Sequence, residues 1–565
     1  MSVRALVRHL PAPVRQRLGR VRDRVEAFRH PGRPLLTEGQ IRAFDLASGG
    51  PAALEAGKGF SPGQVAGLPG PRARIDVADA DAFVGCLNVC VGRGLVPDFL
   101  FRPESVPARV TGVVPYDPRF TEILVYNFFD RHYGIRDPIL YRLLLVTGLE
   151  VRALHKFALE GNRSARYLVS DLFKGVDAPH GMLALQAIHP KITVVRERTA
   201  EHRFFGFMGA ADRIAGVHSL GLGAEEAREA WPRARVYVPT GDLGRPERYR
   251  YHAMSEREVA LADAERVSAD SAALGNDVSK LRTARRFRGP AIGYVSLQDG
   301  GPVAVWHDAP VFVAPPMPAS TRIPAGGQPW KIIVPLVDFG AVDTFVAVDP
   351  EQITSEYRGL TLRLHAWDGR EVAATRVSLG PREHSLALRR HFPDIEKPED
   401  VAYGTAELVF DEACKRTLPE TLMLHTFFRR ADGTFLDVAH SNISTGFMPG
   451  EKVKGSRCRK FGALVHDDVS ESEFHVYNVG LVERTPPVRV LVRTILADGE
   501  ESARWHEIPP NGVLRLTSAE LLAPFGRPEG AGVVYLEQNR YNLTANWVRR
   551  LRRGRAFAVD HFTGA

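Results

Sequence analysis

Cysteine is scarce in this 565-residue chain, which has only Cys86, Cys90, Cys414 and Cys458. Four scattered residues cannot make a disulfide framework, and Cys86 and Cys90 stand in C-x3-C spacing with no second Cys or His pair nearby to complete a zinc site. They read as small buried residues of the apolar stretch FVGCLNVCVG. Long hydrophobic runs are also missing, so no segment reads as a membrane-spanning helix. The first residues, MSVRALVRHLPAPVRQRLGRVRDRVEAF, lack the apolar centre and small-residue cleavage site of a secretory signal, and the expected location is the cytoplasm. No G-x-S-x-G, H-E-x-x-H, P-loop or strand-following G-x-G-x-x-G occurs, so no standard hydrolase, zinc protease or nucleotide-binding enzyme is indicated.

What is present is an ordinary globular composition, 44% hydrophobic and 25% charged, in a chain long enough for several domains. The net charge of +8 is unevenly spread. Residues 1–34 carry nine arginines, from Arg4 to Arg33, against Asp23 and Glu26. On a helix, Val3, Leu6, Val7, Leu10, Val14, Leu18 and Val21 fall near one side, with Pro11 and Pro13 as interruptions. That pattern suits an arm lying on an anionic membrane surface or an acidic partner, and equally a solvated basic tail. Nucleic acid is a poor fit, because only Phe28 interleaves with the arginines.

The strongest signal is internal. Val-Tyr-Asn occurs at 125–127 and again at 476–478, and at that fixed offset residues 114–155 match 465–506 at twelve of forty-two places. Unrelated segments would share about two or three, so duplication is the reading. A third, more divergent copy lies between them. LTLRLHAWDGREVAATRVSL (360–379) lines up with 139–159 and 488–508, each an alternating strand, a turn at Gly148, Gly369 or Gly499, and a second alternating strand. Asp368-Gly369 and Asp498-Gly499 are hairpin turns, since glycine accepts positive φ without a side-chain clash.

Period-two alternation in runs of five to eight residues continues through each copy. The expected fold is therefore mainly β: three tandem antiparallel β-sandwich repeats, each with its own core between two sheets. The expected layout is a basic N-terminal helical arm and loop-rich lead-in (1–75), repeat 1 (76–222), a helical insert (223–285), repeat 2 with N-terminal extension strands (286–450) and repeat 3 (451–565). The helical expectation rests on Ser255 and Glu258 as a capping box and on the Ala-, Glu- and Arg-rich run that follows.

Three residue sets could carry chemistry. Each repeat closes on a strand ending in histidine, His218, His440 and His561, which could hold a divalent metal if the domains met at a pseudo-threefold axis. As separate anchors they would simply hydrogen-bond loops. No other cofactor is expected. Asp117, Glu122, Asn127 and His155, mirrored by Asp468, Glu473, Asn478 and His506, could form two equivalent ligand or calcium sites, or could cap turns and pair with arginines. Aromatic rings that stack on the C–H face of a sugar are available at Trp505, Trp547, Tyr126 and Tyr477, with Trp306, Trp330 and Trp367 besides.

The pattern of strand, Asp-Gly turn (368–369, 498–499), strand and a closing strand ending in Asp560-His561 resembles accessory β-sandwich proteins of bacterial surface-polysaccharide systems. The resemblance covers the repeats and carries no catalytic residue across. The leading expectation is a non-catalytic multidomain binding or scaffold protein with a glycan or protein partner, peripheral at the inner membrane through residues 1–34. One alternative is a metal-dependent enzyme with histidines and carboxylates where the repeats meet. The other is a structural component of a larger assembly, with sandwich edges pairing to neighbouring chains.

Overall fold

The computed structural model describes residues 109–564 apart from short gaps and the stretches 189–203, 222–229, 240–248, 254–260, 267–277, 298–329, 349–356, 411–423, 442–457 and 479–485. The basic arm, the lead-in, Cys86 and Cys90 lie outside the described residues. The chain is mainly β and its sheets are antiparallel. Among the described residues no helix is long and apolar enough to cross a membrane.

The first set of strands comprises β1 (Arg109–Tyr116), β2 (Thr121–Tyr126), β3 (Ile139–Thr147), β4 (Glu150–Leu159), β5 (Ser164–Leu168), β6 (Gly181–Ile188), β7 (Phe205–Ala210) and β8 (Arg213–His218). They pair as two sheets, β4-β3-β6-β1 and β5-β2-β7-β8. The second set comprises β9 (Trp330–Pro335), β10 (Val342–Val348), β11 (Tyr357–His365), β12 (Glu371–Leu379), β13 (Ser385–Ala387), β14 (Thr405–Phe410), β15 (Leu424–Arg430) and β16 (Phe435–Ser441). Its sheets are β12-β11-β14-β9 and β13-β10-β15-β16. The third comprises β17 (Cys458–His466), β18 (Ser470–Tyr477), β19 (Val488–Leu496), β20 (Glu501–Ile508), β21 (Val513–Thr517), β22 (Gly530–Gln538), β23 (Thr544–Leu551) and β24 (Phe557–His561). Here β20-β19-β22-β17 and β21-β18-β23-β24 occur again, joined at a corner by the single pair His466–Glu471. One pairing order thus occurs three times.

Local chemistry explains the shared details. Gly148, Gly369 and Gly499 sit at φ 64°, 87° and 86°, which closes β3–β4, β11–β12 and β19–β20 as hairpins. A short helical turn follows the fifth strand of every set, at Val169–Leu172, Leu388–His391 and Ser518–Leu522. The last has a complete capping box between Thr517 and Glu520. Burial separates the strand types. β3, ILYRLLLVT, is buried on both faces, whereas the edge strand β20, ESARWHEI, is largely exposed.

Two expectations are corrected. The described part of 223–285 forms strands, not a helix: Leu261–Arg266 pairs with Val278–Thr283, which pairs with Arg235–Pro239. Ala, Glu and Arg favour helix by only tenths of a kcal/mol each. The apolar positions were too sparse to give a helix a stripe to bury, so strand pairing prevails. Tyr249–Ala253 and Gly293–Leu297, a further pair, pack against β1 and β6, which is why the first sheet has no solvent face there. The second correction concerns the cores. Those of the first and third sets are not separate but form one continuous cluster, in which Tyr126, Phe128 and Phe205 meet Phe461, and Phe205 and Phe207 meet Trp547.

Candidate functional site

The closing strands β8, β16 and β24 pack against one another, so the elements carrying His218, His440 and His561 converge. His561 lies 2.8 Å from the carboxylate of its chain neighbour Asp560. The side chains of His218 and His440 lie outside the described residues. Among the described residues no group of three or more His, Cys, Asp or Glu has the geometry to hold a metal.

Two junctions surround this convergence, and they are built alike. Ser164, which opens β5, donates its N–H to the Ala497 carbonyl at 3.2 Å. Val513, which opens β21, donates to the Trp367 carbonyl at 2.8 Å. Ala497 and Trp367 each stand two residues before their turn glycine. The hairpin turn of the third set therefore docks on the first set as the turn of the second set docks on the third. An interface that is head-to-tail and used twice is the geometry that generates rings when the rotation closes.

Charge fills these junctions. Glu122 of β2 is held by Arg549 of β23 at 2.8 Å and by Arg166 of β5 at 2.7 Å, and Arg166 also meets Asp467 at 2.7 Å. Burial alone would raise the Glu122 carboxyl, but the two guanidinium groups keep it below the ordinary carboxylate range. In the third set Glu473 takes the same position. It meets His475 at 2.5 Å, Arg515 at 2.7 Å and Arg550 at 3.4 Å, and these partners outweigh burial and depress its carboxyl strongly. Arg515 lies 3.8 Å over the ring of Tyr403, from the second set. Arg549 and Arg550 are adjacent on a strand, so alternation sends them to opposite faces, one toward each junction. A third contact cluster joins the helical turn after β2 to the outer face of the third set. Tyr535 Oη and His132 Nε2 are 2.6 Å apart, and Arg131 pairs with Glu501 and Glu537. Burial first, then Arg459 and Arg131, push His132 down to about 3, so it is a neutral acceptor for the tyrosine.

These facts reassign most of the candidate residues. Trp547 is fully buried against Phe205 and Phe207, and Tyr126 and Tyr477 are buried too, so none of the three can stack on a sugar. Their indole and phenol rings are what the junction cores are made of. Asn127 and Asn478 are buried turn-makers: Asn127 Nδ2 donates to the Leu159 carbonyl, and Asn478 Nδ2 reaches the carbonyls of Pro486, Ile508 and Pro509. Glu122 and Glu473 are engaged by arginines, so the two mirrored polar sets do not assemble as calcium sites. Asp467, not Asp468, makes the turn bond matching that of Asp117: each carboxylate accepts from the N–H two residues on, Arg119 in one turn and Val469 in the other. His155 and His506 are half-buried, and burial lowers both imidazoles. His155 stacks beside Phe157 and Tyr167.

Trp505 remains exposed, at 52%, and Trp367 reaches 57%. Both stand on equivalent hairpins, one in the turn of β11–β12 and one on the edge strand β20. Arg489 lies over the Trp505 ring, 5.2 Å from its centroid. Sequence reading missed Arg489 and the arginine pair 549–550. The doubled Arg in ANWVRRL was a visible signal, but its acidic partners lie far away in the chain.

Comparison with known proteins adds little. No known protein family matches the chain, and no curated protein does. Among solved structures, an exo-chitosanase of Amycolatopsis orientalis aligns at 9% identity over 39% of this chain and 25% of that one, with a TM-score of 0.08. The trypsin-activated alpha-2-macroglobulin of Escherichia coli aligns at 9% identity over 80% and 29%, with a TM-score of 0.10. A tetra-tandem repeat from the extending region of a large adhesion protein aligns at 8% over 79% and 96%, with a TM-score of 0.08. The chain spans about a quarter of the exo-chitosanase, and at these TM-scores none of the three likenesses carries an argument about fold or function.

Proposed function

We propose that this chain is a non-catalytic binding and scaffold protein made of three tandem copies of one β-sandwich unit, which presents exposed tryptophans to a glycan. The carrying observation is the exposure of Trp367 and Trp505 on equivalent hairpins, whereas Trp547 is fully buried. A flat ring left half in water gives up burial worth about 1.5–3 kcal/mol for a large apolar side chain, and a pyranose stacking on it recovers that. The duplication reading draws support from the common pairing order, the recurrent helical turn after the fifth strand and the twice-used junction. Platforms on successive copies would engage one polymer at two points and gain avidity.

The role would be accessory to surface-polysaccharide handling, as the resemblance of the repeats implies. Residues 1–34 would hold the scaffold on anionic lipid, and deleting them should release any vesicle-bound protein. A glycan array with the full chain and with Trp505→Ala and Trp367→Ala tests the main reading. Binding that weakens in each variant supports it, and no binding by the parent protein refutes it.

A further inference from the structure

The site around Trp505 carries a more specific statement about its ligand, one that rests on the glycan reading. We propose that Trp505 and Arg489 together bind a carboxylate-bearing sugar, a uronate residue within a polysaccharide.

Trp505 pairs across the hairpin with Leu491, and Arg489 lies two residues from Leu491 on the same face of β19. The three side chains therefore form one strip at the outer edge of the third set. Arg489 is exposed, and its guanidinium sits 5.2 Å over the indole. A guanidinium placed over a ring uses its flat face for that contact and keeps its N–H donors for another partner.

Those donors are uncommitted in a way the neighbouring cations are not. Arg493, next on the same face, pairs with Glu501 and with Glu537 at 3.1 Å, and Arg131 pairs with the same two carboxylates. Arg489 stands in register with Glu507 but forms no ion pair with it or with any other described residue. The strip thus offers an indole half in water and, over part of its face, a fork-shaped cation with no acidic partner among the described residues. A neutral pyranose would use only the indole. A uronate uses both, its C–H face on the indole and its carboxylate in the bidentate geometry that arginine favours.

The test is a glycan array containing neutral, carboxylated and sulfated sugars. Calorimetric titration of the full chain with oligogalacturonate and its methyl ester follows, for the parent, Arg489→Gln and Trp505→Ala. The expected result is a carboxylated set of array hits and a loss of about tenfold or more in acid-oligomer affinity for Arg489→Gln, the effect of one charge-assisted contact. The methyl ester should bind parent and Arg489→Gln equally weakly, and Trp505→Ala should lose both ligands. Hits confined to neutral or sulfated sugars, or an Arg489→Gln protein that binds the acid like the parent, would overturn this inference while leaving the glycan reading intact. No hit of any kind would overturn both.

Discussion

Replacing Gly369 with alanine and, separately, Gly499 with alanine separates backbone strain from the docking of one unit on another. Both glycines close equivalent hairpins at nearly the same positive φ, 87° and 86°. An L side chain there costs about 1–2 kcal/mol in either position. The surroundings differ. A Cβ at Gly499 would meet Arg163 Cγ at 3.4 Å, an ordinary contact with a flexible side chain. A Cβ at Gly369 would lie 2.0 Å from the Pro510 carbonyl oxygen and 3.0 Å from backbone atoms of Asn511 and Gly512. Backbone cannot yield without moving the junction, so overpacking adds about 1–3 kcal/mol, and loss of the Val513-to-Trp367 hydrogen bond about 0.5–1.5 more. The expected cost is therefore about 3–6 kcal/mol for Gly369→Ala against about 1–2 for Gly499→Ala. Urea unfolding followed by tryptophan fluorescence measures both, and hydrogen exchange at Val513 should rise only in Gly369→Ala. Equal losses in the two variants would show that the second hairpin is not seated on the third set.

Other outcomes follow from the same packing. Trp547→Ala should cost about 3–5 kcal/mol in chemical unfolding, whereas Trp505→Ala should stay within about 0.5, and similar effects would contradict the burial assignment. Arg549→Met removes the buried one of two guanidinium partners of Glu122 and leaves Arg166, so it should cost about 1–3 kcal/mol, with little change when salt is raised, because the Arg549 pair is shielded from solvent. A loss that disappears in high salt would mean that the pair is solvated. His132 and His252 are both pushed down to about 3, chiefly by burial, so they are neutral when folded and take up protons at about 6.5 when unfolded. Their contribution is complete above pH 6.5 and declines as the pH falls toward 3, so Tm should drop steadily between pH 7 and 4 and less steeply in His252→Gln. A Tm independent of pH across that range would refute the assignment.

The strands were legible in the sequence because their signals are local: β11 and β19 alternate, β3 is a short apolar run, and a turn glycine marks the end of each. The insert was not, since VALADAERV satisfies helix propensity and gains its strand partners only from segments elsewhere in the chain. The candidate site divides the same way. That Asn127 and Asn478 are turn-makers could be weighed from residue type, but the fates of Trp505 and Trp547 could not. Both stand among charged neighbours in the sequence. Only the alternation of β23 inside a two-sided junction buries one, while the edge position of β20 leaves the other in water.

The sequence by itself determined a β protein with one recurring pattern of strands and hairpins, because side-chain periodicity and glycine conformation act within a few residues. The tertiary structure alone decided how those sets meet: a core continuous from the first set to the third, arginines committed to distant carboxylates, and three closing strands brought together. Contacts of that kind depend on the docking of faces hundreds of residues apart, and no local pattern encodes which face of a strand will find a partner.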